Sequence, residues 1–350
     1  MKSFLFNIAL MCAGSMALCS CTQDSPVTNP LQTEVEMAER GTLALGADVS
    51  WVTQLEREGY TFTDSNGVAT ECMELLKEQC GVNAIRLRVW VNPTDGWNNI
   101  PDVLVKARRA HALGLRLMID FHFSDTWADP GQQAIPSAWE DYDLAQACEA
   151  VATHVNEMLT LLASYDIEPE WVQIGNETRT GMMWPLGKYS NGANYAELNN
   201  AGYDAVKKVF PDATVIIHLD SGDNLGFYTR IFEYMKSNGG KYDMIGMSLY
   251  PDASSWQQTV DACVSNINTL YKTYGVDVMV CEIGMDYDQA ASCRQCIAAL
   301  LAQGQATGHL AGVFYWEPEA PAGYNGGYSK GCFDNGTPTE ALKAFKAVAQ

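Results

Sequence analysis

The sequence predicts a single domain built as an eight-stranded β/α barrel, a TIM barrel. Between residue 43 and the C-terminus, eight short apolar runs alternate strictly with eight stretches of helical period, the order of a parallel sheet covered by helices. The runs are continuously apolar instead of alternating, which suits strands buried on both faces. Eight units without a glycine-rich dinucleotide fingerprint favour a closed barrel over an open doubly wound sheet. A chain of 350 residues could hold two domains, but no linker or low-complexity block interrupts 43–350.

The strands are read at 43–49, 84–91, 115–123, 170–174, 214–219, 244–249, 276–281 and 310–316. Helices fall near 68–79, 100–113, 143–164, 194–209, 224–236, 256–273, 289–303 and 338–348. Gly81, Gly114 and Gly275 each stand just before a strand, where a left-handed cap would close the preceding helix. Ala193-Asn194-Tyr195 opens a helix that must end before Pro211, and Pro338-Thr339-Glu340 looks like a first turn.

Ahead of the barrel, residues 1–21 read as a lipoprotein signal peptide. Lys2 supplies a positive start, 4–18 is apolar but too short to span a bilayer comfortably, and Leu18-Cys19-Ser20-Cys21 looks like a bacterial lipobox. Cys21 is the expected lipidated residue, since Ser20 is the small residue before the cut; Cys19 is the second choice, and a plain secretory signal the bland alternative. Residues 22–41 are polar, carry Pro26 and Pro30, and read as a flexible tether, leaving 42–350 for the barrel. The expectation is a bacterial outer-membrane lipoprotein that touches the membrane only through its N-terminal lipid.

Formal charge is −20, from 42 acidic and 22 basic residues. Such a surface repels phosphate backbones, which excludes nucleic acid as a partner and leans toward a neutral ligand. Eight cysteines lie beyond the signal segment, and their spacing dictates no pairing. They do not cluster with the five histidines as a zinc site requires, and Cys293-Arg294-Gln295-Cys296 falls mid-helix, away from the turn that activates a redox thiol. No metal or other cofactor is expected, and nothing calls for more than a monomer.

Catalytic groups of a β/α barrel lie at the C-terminal ends of its strands. Here those ends carry residues that a core would not take: Asp48; Arg88 and Trp90; Asp120, His122, Asp125 and Trp127; Asn176, Glu177 and, further on, Trp184; His218 and Asp220; Tyr250; Glu282; and Trp316. Glu177 follows the fourth strand and Glu282 the seventh, so both can face one ligand over the barrel mouth. Glycoside hydrolysis needs such a pair, one acid to protonate the leaving oxygen and one carboxylate to attack or to activate water. Either glutamate alone could be a rim salt bridge; together, beside Asn176 and an aromatic rim, they point to a glycosidase. Arg88 is expected to pair with Glu282 and keep it ionised. Trp90, Trp127, Trp184, Tyr250 and Trp316 are read as water-exposed faces for sugar C–H groups, whereas Trp171 is left to the core. His122 and His218 could equally be hydrogen-bonded core residues.

These segments closely resemble glycoside hydrolase family 53, the arabinogalactan endo-β-1,4-galactanases. The likeness is carried by Trp171-Val172-Gln173-Ile174-Gly175-Asn176-Glu177 with Gly181-Met182-Met183-Trp184-Pro185, by 86–93, by Ser124-Asp125-Thr126-Trp127-Ala128-Asp129-Pro130, and by 312–318. It runs from Gly46 to the chain end. The Asn-Glu pair is shared by a wider clan, while the third-strand motif is more specific. The resemblance implies a retaining double displacement on β-1,4-galactan, the side chain of type I arabinogalactan in pectin, with galacto-oligosaccharides as products. It implies Glu177 as acid/base, Glu282 as nucleophile, Asn176 on the sugar 2-hydroxyl and Trp316 as the floor under the attacked sugar. Phe123 stands where a tyrosine is expected, and Gln132 where a basic or imidazole side chain is common. Some relatives carry calcium after the seventh strand, but Asp286 and Asp288 in the short segment 283–289 are too few to claim it. The alternatives are a mannanase or xylanase of the same clan, or a surface glycan-binding lipoprotein without catalysis, which would need neither glutamate.

Overall fold

The computed structural model describes residues 35–349, so the signal-peptide reading, Cys21 and most of the tether lie outside the described residues. Eight parallel strands close into a barrel in sequential order: β1 (Ala44–Asp48), β2 (Ala84–Val89), β3 (Arg116–Phe121), β4 (Trp171–Ile174), β5 (Thr214–Leu219), β6 (Met244–Leu249), β7 (Val278–Ile283) and β8 (Leu310–Trp316), with β8 pairing back to β1. The connecting helices are α1 (Cys72–Leu75, running on as a π-turn over Leu76–Cys80), α2 (Ile100–Ala112), α3 (Leu144–Ala163), α4 (Asn194–Val209), α5 (Leu225–Ser237), α6 (Trp256–Tyr274), α7 (Ala290–Thr307) and α8 (Lys343–Ala349).

The local signals act as read. Gly81, Gly114 and Gly275 all take positive φ at helix ends, and Asp143 caps α3 in a reciprocal box with Gln146. Two readings are corrected. Pro338 does not begin the last helix; Thr337–Pro338 pairs with Phe333–Asp334 in a two-residue ladder, and α8 starts only at Lys343. The end of the supposed tether is pinned to the N-terminal end of the barrel, with Ala38 N–H donating to Gly114 O (2.8 Å) and Arg40 paired to Glu168 (3.0 Å).

Strand side chains alternate between the barrel interior and the helix layer. Outward-facing residues such as Leu45, Ile85, Leu87, Leu117, Ile119 and Val172 pack under the helices in the main core. Inward, Ala44, Ala84, Met118, Trp171, Ile216, Met244, Met279 and Phe314 fill the lower barrel as a second apolar cluster. Gly46 lets this layer close, because a Cβ there would run into the ring of Phe314. One step up, the inward positions become polar: Asp48, Arg86, Arg88, Asp120, Gln173, His218 and Ser248 are all buried. Burying so many polar groups requires that they satisfy one another, and that network is the base of the site.

Candidate active site

Glu282 does not follow β7 but lies within it. By strict alternation it would share the outward face of Val278 and Val280. The register slips instead: Met247 pairs with Val280, yet Ser248 pairs with Glu282, leaving Cys281 as the extra residue of a bulge. Cys281 and Glu282 therefore both face inward, Cys281 in the apolar layer and Glu282 at the mouth. Glu177 reaches the mouth differently. After β4 the chain turns through Gly175 (φ 86°) and Glu177 itself (φ 47°), a left-handed conformation that non-glycine residues seldom take. Gln133 Nε2 donating to Asn176 O and Thr178 N–H donating to His218 O hold that turn. Phe123, Ser221 and Glu317 make similar left-handed steps after β3, β5 and β8.

Arg86 is the hub beneath. Its guanidinium is fully buried and meets Asp48 (2.7 Å), Asp120 (2.8 Å) and Glu282 (3.0 Å), and it also donates to Gln173 and to Asn176 Oδ1 (3.0 Å). One cation thus serves three carboxylates. Burial alone would raise Asp120, but Arg86 and His122 outweigh it and bring that carboxyl down to about 2. Glu282 is raised, because burial exceeds the pull of Arg86 and of Tyr250, whose hydroxyl donates to Glu282 Oε2 (2.7 Å). The expected Arg88–Glu282 pair is not formed. Arg88, two residues further up β2, pairs with Glu317, and its guanidinium lies among the rings of Trp51, Trp90 and Trp127 at 5.1, 5.2 and 4.5 Å.

The proton on Glu177 can be located from hydrogen bonds. Asn176 is oriented by its Nδ2 donating to Ala128 O and its Oδ1 accepting from Arg86. His218 Nδ1 lies 2.9 Å from that oxygen, so Nδ1 must carry a proton. Burial and the Arg86 charge push His218 well below the usual imidazole range, so the ring is neutral and Nε2 is an acceptor. Ser248 Oγ, 2.9 Å from Nε2, therefore donates to it. The 2.6 Å contact between Ser248 and Glu177 Oε1 is then a hydrogen bond when Glu177 is protonated. Burial, followed by the charge of Glu282, raises Glu177 well above an ordinary carboxyl and outweighs the opposing effect of the Ser248 contact.

A cleft of about 530 Å³ opens above both glutamates, walled by Trp51, Trp127, Trp316, Tyr250, Tyr328 and His122. Beyond Glu177 and Tyr250 it continues into a polar trough of about 460 Å³ that includes Asp220. Asn176 borders the cleft from below. Tyr328 donates to Trp316 O (2.6 Å) and stands against its ring, as do Trp51 and Trp127.

Several expected ligand contacts sit elsewhere. Asp48, Arg88, Asp120 and His218 are buried under the floor and each is paired with protein groups there, although Arg88 Nε and Nη2 and Asp120 Oδ1 have no hydrogen-bond partner among the described residues. Trp90 is buried against Arg88, its indole N–H donating to His122 Nδ1 (3.1 Å), which leaves the His122 Nε2 proton for Asp120. Asp125 uses both oxygens on protein groups, accepting from Asn92 N–H in the loop after β2 and from Ser137 in its own loop. Trp184 folds back within its hairpin, N–H to Thr180 O, with Lys188 over its ring. Arg86, Ser248, Glu317, Trp51 and Tyr328 were not singled out from sequence. The inward parity of Arg86 and Ser248 could have marked those two; nothing local marks Trp51 or Tyr328. Asp286, in the segment weighed for calcium, is held by Lys330 and Ser329, and among the described residues no group of three or more His, Cys, Asp or Glu is placed to hold a metal.

Comparison with known proteins agrees with this fold. The family model described as glycosyl hydrolase family 53 matches residues 44–347. A probable arabinogalactan endo-β-1,4-galactanase A of Neosartorya fischeri is 34% identical over 321 residues, covering 83% of this chain and 87% of that protein. The arabinogalactan endo-β-1,4-galactanase of Thermothelomyces thermophilus is 31% identical over 87% of this chain and 97% of its own. Among solved structures, a fungal β-1,4-galactanase superposes with a TM-score of 0.79 at 31% identity, covering 86% of this chain and 98% of that one. The catalytic domain of an Ignisphaera aggregans family 53 enzyme gives 0.78 at 30%, covering 90% and 100%. With a model match across nearly the whole barrel and relatives above 30% identity, the chain belongs to glycosyl hydrolase family 53.

Proposed function

We propose that this glycoside hydrolase is a retaining endo-β-1,4-galactanase that cuts the galactan side chains of pectin, with Glu177 as acid/base and Glu282 as nucleophile. The observation that carries the reading is one cleft holding two carboxyls in unlike surroundings. Glu282 has a buried cation and a phenol to stabilise its charge, whereas Glu177 has only neutral neighbours within hydrogen-bond reach and the charge of Glu282 nearby. Environments that push two carboxyls apart assign the acid and the anion.

Glu282 attacks the anomeric carbon while Glu177 gives its proton to the leaving oxygen. Once Glu282 is esterified its charge is gone, and the second largest cause of the raised Glu177 pKa goes with it. Glu177 can then act as a base and draw a proton from the incoming water. Trp316, Trp51 and Trp127 form the apolar wall for the sugar, and Asn176 lies where it can meet a ring hydroxyl. The galactan assignment draws support from the relatives named for that activity. Reducing ends should appear on β-1,4-galactan and not on mannan or xylan, and early products should be β-anomers by proton NMR. Equal rates on mannan would defeat the substrate assignment, and α-anomers would defeat retention.

The N-terminal segment supports a further part of the proposal, lipidation at Cys21 and anchoring to the outer membrane. Cys21→Ala should move the protein from the membrane fraction to the soluble one; unchanged fractionation would refute the anchor.

A further inference from the structure

Outside the cleft, a hollow of about 690 Å³ lies where α2 and α3 meet the loop between β3 and α3. Asn92 borders it beyond β2, Trp139 and Tyr142 stand on the loop, and Glu149, His154 and Glu157 project from α3. The inner flank of the same loop, at Trp127, Ala128, Asp129 and Gln132, lines the catalytic cleft. The two concavities therefore stand on either side of one loop.

His154 is the unexplained residue. Its side chain is 5% exposed and its Nε2 has no hydrogen-bond partner among the described residues. Phe121, Phe123 and Trp139 pack on the imidazole with ring centroids 5.6, 6.3 and 6.1 Å away, and none of them is hydrogen-bonded to it. His154 itself borders the hollow, and its Nε2 is buried, so the hollow meets the ring only through the residue's small exposed fraction. Burial brings the imidazole down to about 4, so at neutral pH it is uncharged. Around it stand two carboxylates and amide side chains, with no lysine or arginine among the described lining residues, which disfavours anionic ligands. Tyr142 adds an aromatic face that is 37% exposed. Hydroxyl partners, a flat apolar face and no cation are what a neutral saccharide needs.

We propose that this hollow is a second saccharide-binding site, which holds a neutral segment of the galactan chain while another segment occupies the cleft. The identity of the saccharide rests on the function proposed above. A chain held at the hollow raises the effective concentration of neighbouring segments at the cleft, so the site should matter for polymer and not for short oligomers.

The test uses the whole protein. In the Glu282→Gln background, calorimetric titration with galactotetraose should show two binding events, of which Tyr142→Ala and His154→Phe each abolish one; His154→Phe keeps a ring and removes the nitrogens. In the active enzyme, the same substitutions should raise KM on polymeric galactan by roughly tenfold and leave kcat/KM on galactotetraose within about twofold. A single binding event that Trp316→Ala removes, or a polymer KM unmoved by Tyr142→Ala, overturns the second site and leaves the proposed function standing. No galactotetraose binding in any form of the protein overturns both.

Discussion

Ser248 stands between a neutral imidazole and the Glu177 carboxyl, and its hydroxyl proton is committed to His218 Nε2. It can accept from protonated Glu177 but cannot donate to the ionised form without breaking that bond. Ser248→Ala should therefore lower the Glu177 pKa and move the basic limb of kcat/KM against pH to lower values. Movement to higher pH would mean that the hydroxyl donates to the carboxylate instead. Glu282 acts on Glu177 through charge, the cause next in size after burial. In Glu282→Gln, Glu177 should titrate at lower pH than in the native enzyme, as read by ¹³C NMR of labelled glutamate; an unchanged titration would mean that the two carboxyls do not interact.

At the scale of the strand, side-chain alternation decides what reaches the mouth. Gly46 in β1 clears the ring of Phe314 in β8. Gly46→Ala should destabilise the barrel by about 1–3 kcal/mol, and adding Phe314→Leu should recover part of it in thermal melts; additive losses would show that the two positions do not touch. The same alternation explains why some of the site was readable beforehand. The strand-end place of Arg88 followed from sequence, and the inward parity of a residue two positions earlier could have added Arg86 beside it. Which of them meets Glu282 did not follow, because that depends on height: Arg86 is two residues lower and reaches Asp48, Asp120 and Glu282, while Arg88 reaches Glu317. Nor could the β7 bulge be seen, since Val278–Ile283 reads the same with or without a register slip against β6.

For the molecule as a whole, buried carboxyls set opposite responses to pH. Asp120, held near 2, contributes stability above the unfolded carboxyl pKa, which is lost as pH falls toward 2. Glu317 and Glu319 act in the other sense. Burial raises Glu317 to about 7, and burial together with the Glu317 charge raises Glu319 further from its ordinary value. A raised folded pKa means that the native state holds the proton more tightly, so this pair is least harmful below about 4.5 and increasingly destabilising as pH rises toward 7. Glu319→Gln should raise the melting temperature more at pH 8 than at pH 5, by about 2 °C or more. An equal gain at both values would show that Glu319 is already ionised in the native protein.

From the sequence alone came the barrel, its helix caps, the two glutamates and the tryptophan at the end of β8, because each is written in local periodicity or in the chemistry of a strand end. The tertiary structure alone decided which arginine neutralises Glu282, that Trp90, Asp48 and His218 lie beneath the cleft, and that Trp51 and Tyr328 wall it. Those outcomes depend on strand height, on a single extra residue in β7 and on contacts between segments hundreds of residues apart. Local pattern carries no record of such distances; only closure of the barrel brings them into being.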